Sequence, residues 1–344
     1  MGRPERKQGY GRIKNVMEIS KVENLPPPPG VISSIKAGFD TIATHITAIL
    51  LPLLLNLFLW LGPRLRMNAL FDSIQGDVVQ IWKSGGVSAD DIQKVLTWYN
   101  DTIPNINLFW LLHTVPIGIS SLFFSQVAVS TPLGNPATLQ VSALNLLGWM
   151  FLLTLAGWVG GGLYFRSVAW IATANKDDPR LSVTRAITQT MLISILWGVL
   201  IMAVGFPVLL ILVLIIQLSP IIANLLVIVI SLVSMWVIVP LFFWPHGVFI
   251  RKQNVITSIV SSFQMTRFTL PTSSMFVLAA FLLTFGLNYL WSIPPQNSWM
   301  TFVGILGHSF VATALLASSF IYYRDMNIWL QTVIDKLRPN AVIK

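Results

Sequence analysis

The run from Ala186 to Ile250 constrains this chain most, because its 65 residues include no Asp, Glu, Lys or Arg. A single helix of that length would measure about 98 Å, whereas a bilayer core is about 30 Å thick and takes about 20 helical residues. The run must therefore reverse. Gln217-Leu218-Ser219-Pro220 suits a reversal, because Gln and Ser tolerate the headgroup region and Pro favours the first turn of a helix. The sequence predicts a helical hairpin over roughly 188–217 and 220–245, kinked at Gly205-Phe206-Pro207.

Composition indicates an integral membrane protein. Hydrophobic residues make up 54% of it and charged residues 10%, whereas soluble domains carry about 25% charged residues. The absence of cysteine excludes disulfides, thiolate nucleophiles and Cys-ligated metals. The net charge of +9 is explained by the basic loops that face the cytoplasm in membrane proteins, so no nucleic-acid partner is expected.

Three regions follow from charge and hydropathy along the chain. Residues 1–36 form a basic cytoplasmic arm, in which Pro26–Pro29 is a polyproline spacer. Residues 37–323 form a membrane domain with a long outer loop at 62–142, and residues 324–344 form an amphipathic cytoplasmic tail. The arm and the tail are expected to contact anionic lipids.

The number of spans depends on residues 106–129, which are apolar but contain Asn107, His113, Pro116 and Gly118. With six spans, eighteen of the 22 Lys and Arg residues face the cytoplasm and four face outward. Counting 106–129 as a seventh span leaves seven inside and fifteen outside. The positive-inside rule favours six spans, so 106–129 is predicted to be re-entrant or interfacial.

The expected fold is therefore an all-α polytopic membrane protein with six transmembrane helices arranged as three helical hairpins, plus interfacial or re-entrant helices in the outer loop. The spans are predicted at about 41–61, 143–170, 188–217, 220–245, 273–293 and 301–323. Three amphipathic stretches each lead into an outward span, at Ile32–Thr47, Leu181–Thr190 and Val255–Thr272. In the outer loop, Ser88 is predicted to cap a helix that begins with acidic residues.

Uncharged polar residues recur in the outer third of five predicted spans. They are Asn56, Gln217, Asn224, Asn288 and His308. Such groups usually turn inward and hydrogen-bond between helices, with about 0.6 kcal/mol gained per bond. Two interpretations stay open at this stage: interhelical contacts and helix ends, or a polar vestibule open to the outside and roofed by residues 62–142.

Glycines cluster in the second predicted span. Gly157 and Gly161 form a GxxxG pair there. Glycines without side chains let another backbone approach closely, so this face is predicted to pack against a second helix. A hinge or substrate-lining role is the alternative.

Chemical motifs are missing from the sequence. It contains no GxxxxGK[ST] phosphate loop, no HExxH and no GxSxG pattern. The four histidines, at 45, 113, 246 and 308, lie in different segments, and no acidic or basic residue falls inside a predicted span except Arg166, at the cytoplasmic end of the second. We therefore predict no catalytic residue, no cofactor site and no metal site.

The hairpin pattern, the amphipathic Val255–Phe268 and the ending Phe320-Ile321-Tyr322-Tyr323-Arg324-Asp325 resemble a broad group of uncharacterised bacterial six-span proteins. That group is similar to the membrane domain attached to some glycerophosphodiester phosphodiesterases. The resemblance covers about residues 180–330. The catalytic domain of that enzyme is missing, and none of the four histidines is followed by Arg as its His-Arg motif requires, so nothing catalytic carries over.

These observations lead to two main functional hypotheses, with an intramembrane enzyme as a third. The first is a non-enzymatic scaffold or accessory subunit in the cell membrane, with both termini cytoplasmic and a membrane-protein partner. The second is a transporter or lipid-handling protein that uses the outer polar residues as an outward-facing vestibule.

Overall fold

The computed structural model describes residues 26–123, 130–173 and 180–337. Predictions made for residues 1–25 of the basic arm and for the last seven residues of the tail lie outside these ranges. Residues 124–129, the end of the ambiguous apolar stretch, lie outside them as well.

The described residues are mostly helical. In chain order the helices are α1 (Val31–Thr44), α2 (Leu50–Leu61), α3 (Asn68–Ser84), α4 (Ala89–Thr102), α5 (Ala143–Thr173), α6 (Val183–Leu200), α7 (Phe206–Leu218), α8 (Pro220–Arg251), α9 (Val255–Trp291) and α10 (Met300–Leu337). Short 3₁₀ turns occur at Ile46–Ile49, Ile103–Asn105 and Leu108–Leu112. Two strands of three residues, β1 (Arg64–Arg66) and β2 (Thr138–Gln140), pair in parallel with Arg64 opposite Thr138.

Five helical stretches in the described part of the chain are long and apolar enough to cross a membrane, and a bent helix pair at the start raises the number to six. They are Ala143–Thr173, Val183–Leu218, Pro220–Arg251, Val255–Trp291, Met300–Lys336 and the bent pair Val31–Thr44 with Ile46–Leu61. The prediction of an all-α polytopic membrane fold is confirmed.

The long uncharged run forms a hairpin, as predicted. α7 ends at Leu218 and α8 begins at Pro220, and the Ser219 hydroxyl accepts a hydrogen bond from the N–H of Ile222 at 3.4 Å. A π-helical turn at Ile201–Gly205 separates α6 from α7. Pro207 follows two residues after this turn. Its missing N–H cannot bond the carbonyl of residue 203, which lies within the turn.

Much of this hairpin lies outside the core. Between residues 195 and 238 a single residue, Ala223, is buried, and we call this stretch the hairpin arm. Beyond it, α8 is buried from Val239 onward. Its last turns join the core at the end of the bundle where Arg185, Arg251 and Arg324 lie, which we call the basic end.

α10 is the central helix. It packs against α1, α2, α5, α8 and α9, and it runs for 38 residues without a break at residue 324. The predicted tail is thus a continuation of the last span. Met326 is fully buried, and the indole N–H of Trp329 donates to the carbonyl of Pro26 at 2.7 Å, so the tail packs against the chain that precedes α1.

The first span differs from the prediction. One transmembrane helix was expected over about 41–61, but α1 and the following helix meet at 96° around His45. The side chains of Thr44 and His45 bond the carbonyl of Thr41 at 2.9 and 3.1 Å, which satisfies the end of α1. Pro52 lies in the first turn of α2, where its ring is favoured, but it blocks a helix that continues from residue 48.

The outer loop contains α3 and α4. Ser88 caps α4 as predicted, because its hydroxyl accepts from the N–H of Asp91 at 3.1 Å. Residues 106–123 follow as an irregular chain whose only regular piece, among the residues described there, is the 3₁₀ turn Leu108–Leu112. We call residues 106–123 the packed segment.

Candidate functional site

The packed segment enters the helix bundle and lies against the two glycines of α5. A Cβ atom on Gly157 would lie 2.8 Å from the carbonyl oxygen of Leu112, and one on Gly161 would lie 2.8 Å from that of Ile117. Gly161 is eighteen residues into α5, which is about 27 Å along the helix axis. The two glycines therefore admit an irregular backbone, where the sequence had suggested a second helix.

Asn56 on α2 holds the far side of the packed segment. Its side chain is fully buried. The amide nitrogen donates to the carbonyls of Pro52 at 2.7 Å and Ser120 at 3.2 Å, and the amide oxygen accepts from the N–H of Leu122 at 2.8 Å and the hydroxyl of Ser121 at 3.2 Å. One side chain thus replaces the bonds that a helix would have given this backbone.

His308 on α10 connects the same segment to α9. Its Nδ1 lies 2.6 Å from the side-chain oxygen of Asn288, and its Nε2 lies 3.2 Å from the hydroxyl of Ser120. Because an amide oxygen only accepts, Nδ1 carries the proton, and in the neutral ring Nε2 accepts from Ser120. The order of donation is Ser120 to His308 to Asn288. We call these residues, together with Asn56 and Ser121, the outer polar cluster.

The structure brings together three of the five polar residues chosen from the sequence. Asn56, Asn288 and His308 belong to the outer polar cluster, whereas Gln217 and Asn224 are exposed beside the α7–α8 turn. Sequence reasoning missed Ser120 and Ser121. The available signal was a Ser-Ser pair two residues after Gly118 in an apolar stretch that charge counting had already excluded as a span.

The relay of Ser120, His308 and Asn288 has the hydrogen-bond order of a serine nucleophile system. Its third member is a neutral amide, which fixes the tautomer but supplies no charge to stabilise an imidazolium. Nearby backbone donors are also occupied, since the N–H of Leu122 bonds Asn56 and that of Phe123 bonds Ser121. The arrangement connects α2, α9 and α10 through the packed segment.

Arg64 closes the C-terminal end of α2. Its buried guanidinium donates to the carbonyls of Leu59 at 2.6 Å and Trp60 at 3.2 Å, where a helix end lacks intrahelical partners. Burial, followed by the nearby charge of Arg66, lowers the pKa of Arg64 from its usual value. The indole of Trp60 donates to the carbonyl of Gln296 at 2.8 Å, so the turn between α9 and α10 is attached at the same place.

A second buried polar group lies at the basic end and was also missed by the sequence analysis. His246 Nε2 on α8 lies 2.7 Å from the Ser319 hydroxyl on α10. The ring centroids of Phe320 and Phe243 lie 4.7 and 5.5 Å from that of the imidazole. The Phe276 ring of α9 lies 6.3 Å from that of Phe243. These contacts join α8, α9 and α10 over a largely aromatic core.

Within the described ranges, no three His, Asp or Glu side chains lie close enough together to hold a metal ion. Comparisons with protein-family models, with curated proteins and with solved structures find no match to this chain. The fold defines its class, an all-α multi-pass membrane protein.

Proposed function

We propose that this chain is a non-enzymatic scaffold or accessory subunit of a membrane assembly, located in the cell membrane with both termini in the cytoplasm. The observation that carries the proposal is the hairpin arm. It has one buried residue between positions 195 and 238, although the rest of α8 is packed into the core. Two helices that extend from their own bundle in this way offer a surface to the helices of a membrane-protein partner.

Two glycines on the hairpin arm support a protein partner over lipid alone. A Cβ atom on Gly198 would meet nothing within 4 Å, and one on Gly205 would meet one Ile201 methyl at 3.7 Å. By contrast, the position beside Gly162 is filled by a neighbour, because a Cβ there would lie 2.8 Å from the Thr190 hydroxyl of α6. Outside the arm, Gly148 and Gly286 are open as well. In membranes, open glycines let another helix approach closely and gain packing contacts.

The polar groups fit the same proposal. The outer polar cluster consists of groups that bond each other across helices, which is how polar residues stabilise membrane bundles. The distribution of Lys and Arg supports the orientation, with eighteen on the side of the termini. The basic arm and tail would add contacts with anionic lipids.

The second candidate is a transporter or lipid-handling protein with an outward-facing vestibule. The half-buried Ser120 and Asn288 favour it, because they place the ends of the His308 relay within reach of a ligand. A small polar solute or lipid headgroup that raises the melting temperature of the wild type, but not of His308→Leu, would favour this candidate over the scaffold.

The scaffold proposal predicts that Gly198→Leu prevents assembly with the partner but leaves the fold intact. The leucine side chain has free space in the isolated chain but would fill the gap that a partner helix needs. After purification from its native membrane in mild detergent, the wild type should carry a stoichiometric membrane protein or a second copy of itself. Gly198→Leu should retain less than a tenth of that partner at an unchanged melting temperature.

Gly286→Leu on α9 is the matched control, because Gly286 is also an open glycine but lies outside the hairpin arm. It should keep the partner. A wild type that purifies as a lone monomer, or a Gly198→Leu variant that keeps its partner, would refute the proposal.

A further inference from the structure

A crevice of about 550 Å³ lies between α8 and the first half of α9. This is within the size range of small-molecule sites, which are mostly apolar with a few polar groups. Its apolar walls are contributed by Trp236, Pro240, Ile259, Val260, Phe263 and Leu270. The polar residues of its lining are Gln264, Thr266 and Arg267 on α9. The Thr266 hydroxyl donates to the carbonyl of Ser262 within its own helix, whereas Gln264 and Arg267 are exposed.

The crevice lies at the level of a lipid headgroup. α9 has a kink at Thr269, followed by Pro271. From Pro271 to Trp291 the helix has 21 uncharged residues, about 31 Å in length, which matches a bilayer core of about 30 Å. Arg267 is one turn before that stretch. On the opposite wall, α8 reaches Pro240 after 21 residues from the hairpin turn at Pro220, again about 31 Å, although its uncharged run continues to Ile250. The two lengths place the crevice at the same level.

Arg267 is available to a ligand. Its side chain is exposed, and its guanidinium lies 5.9 Å from the centroid of the Phe268 ring. No hydrogen bond or ion pair to another residue of the described ranges engages it. By contrast, the two arginines of the basic end have partners. Arg185 donates to the carbonyl of Lys252 at 2.6 Å, and Arg251 donates to the side-chain oxygen of Asn327 at 3.4 Å. A planar guanidinium at a membrane boundary suits the oxygens of a phosphate.

We infer that this crevice is a binding site for an anionic phospholipid, with its phosphate on Arg267 and Gln264 and one acyl chain along Trp236, Phe263 and Leu270. The apolar walls and the single cation match the two parts of that molecule, and basic pockets between membrane helices bind lipid headgroups in this way. None of its lining residues belongs to the basic arm or the tail. It supplies a specific lipid contact beside the hairpin arm.

The test uses the purified full chain in mild detergent, titrated with phosphatidylglycerol and followed by native mass spectrometry. One lipid should bind, and phosphatidylcholine with the same acyl chains should bind at least fivefold more weakly. Arg267→Gln should weaken phosphatidylglycerol about tenfold, because a charge-assisted bond is lost. Val260→Trp should abolish binding by filling the crevice.

Two variants serve as matched controls. Arg251→Gln removes an exposed arginine at the same end, and Ile256→Trp adds a large side chain to an exposed site one turn earlier on α9. Both should bind within twofold of the wild type. Equal losses in Arg251→Gln, unchanged binding in Arg267→Gln and Val260→Trp, or binding of glycerol 3-phosphate as tight as that of the lipid would each overturn the inference.

Discussion

Gly161→Leu is expected to unfold the bundle in detergent. A Cβ at this position would lie 2.8 Å from the carbonyl oxygen of Ile117 and 2.9 Å from the Cα of Gly118, and both are backbone atoms that cannot rotate away. Leucine adds three more carbon atoms beyond that Cβ. Overpacking of this kind costs about 3 kcal/mol, and here it also expels the packed segment. The melting temperature and the monodisperse fraction after gel filtration measure the effect.

Gly148→Leu is the control on the same helix, because a Cβ on Gly148 would meet nothing within 4 Å. It should leave the melting temperature within a degree or two of the wild type. If Gly161→Leu behaves like Gly148→Leu, the packed segment does not lie against α5 in the membrane protein.

Asn56→Leu is expected to release the packed segment while the long helices remain. The change strands the N–H of Leu122 and the carbonyl of Ser120 at membrane depth. Side-chain bonds between membrane helices average only about 0.6 kcal/mol, because the unfolded state in the membrane finds other partners. An irregular backbone has no such substitute. We therefore expect Asn56→Leu to lower the free energy of unfolding by about 3 kcal/mol, because each backbone group left without a partner costs about 1–3 kcal/mol.

Two measurements check this expectation. Hydrogen exchange of the segment 106–123 should accelerate at least tenfold in Asn56→Leu, and the melting temperature should fall. Asn288→Leu provides the comparison, because it removes a single side-chain bond to His308 and should cost less than about 1 kcal/mol. Equal effects of the two variants would show that Asn56 holds no more than an ordinary interhelical bond.

The parts of the fold that depend on length and local chemistry could be predicted. The uncharged run must reverse because of the bilayer thickness, and Ser219-Pro220 is where it does so. Pro207 disturbs the first helix of the hairpin through its missing N–H, and a π turn lies just before it. Ser88 caps α4 through a bond that spans three residues. Each of these features follows from residues close together in sequence.

The parts that depend on contacts between distant residues could not be predicted. Position along a span gives the depth of a polar residue but not the direction in which it faces. Asn56, Asn288 and His308 therefore meet, whereas Gln217 and Asn224, at similar predicted depth, are exposed on the hairpin. The packed segment was harder to predict still. Asn56 of α2 bonds its backbone and His308 of α10 bonds its Ser120 hydroxyl, and both lie more than sixty residues away in sequence.

Cysteine labelling that determines on which side of the membrane the two ends of the outer loop lie tests the six-span bundle most directly. The chain has no cysteine, so single cysteines can be placed without background at Lys94→Cys, Leu144→Cys and Arg251→Cys, all at exposed positions. In intact cells an impermeant thiol reagent should label the first two and leave the third unlabelled. If Lys94→Cys and Leu144→Cys lie on opposite sides, residues 106–129 cross the membrane, and the six-span bundle with its packed segment is wrong.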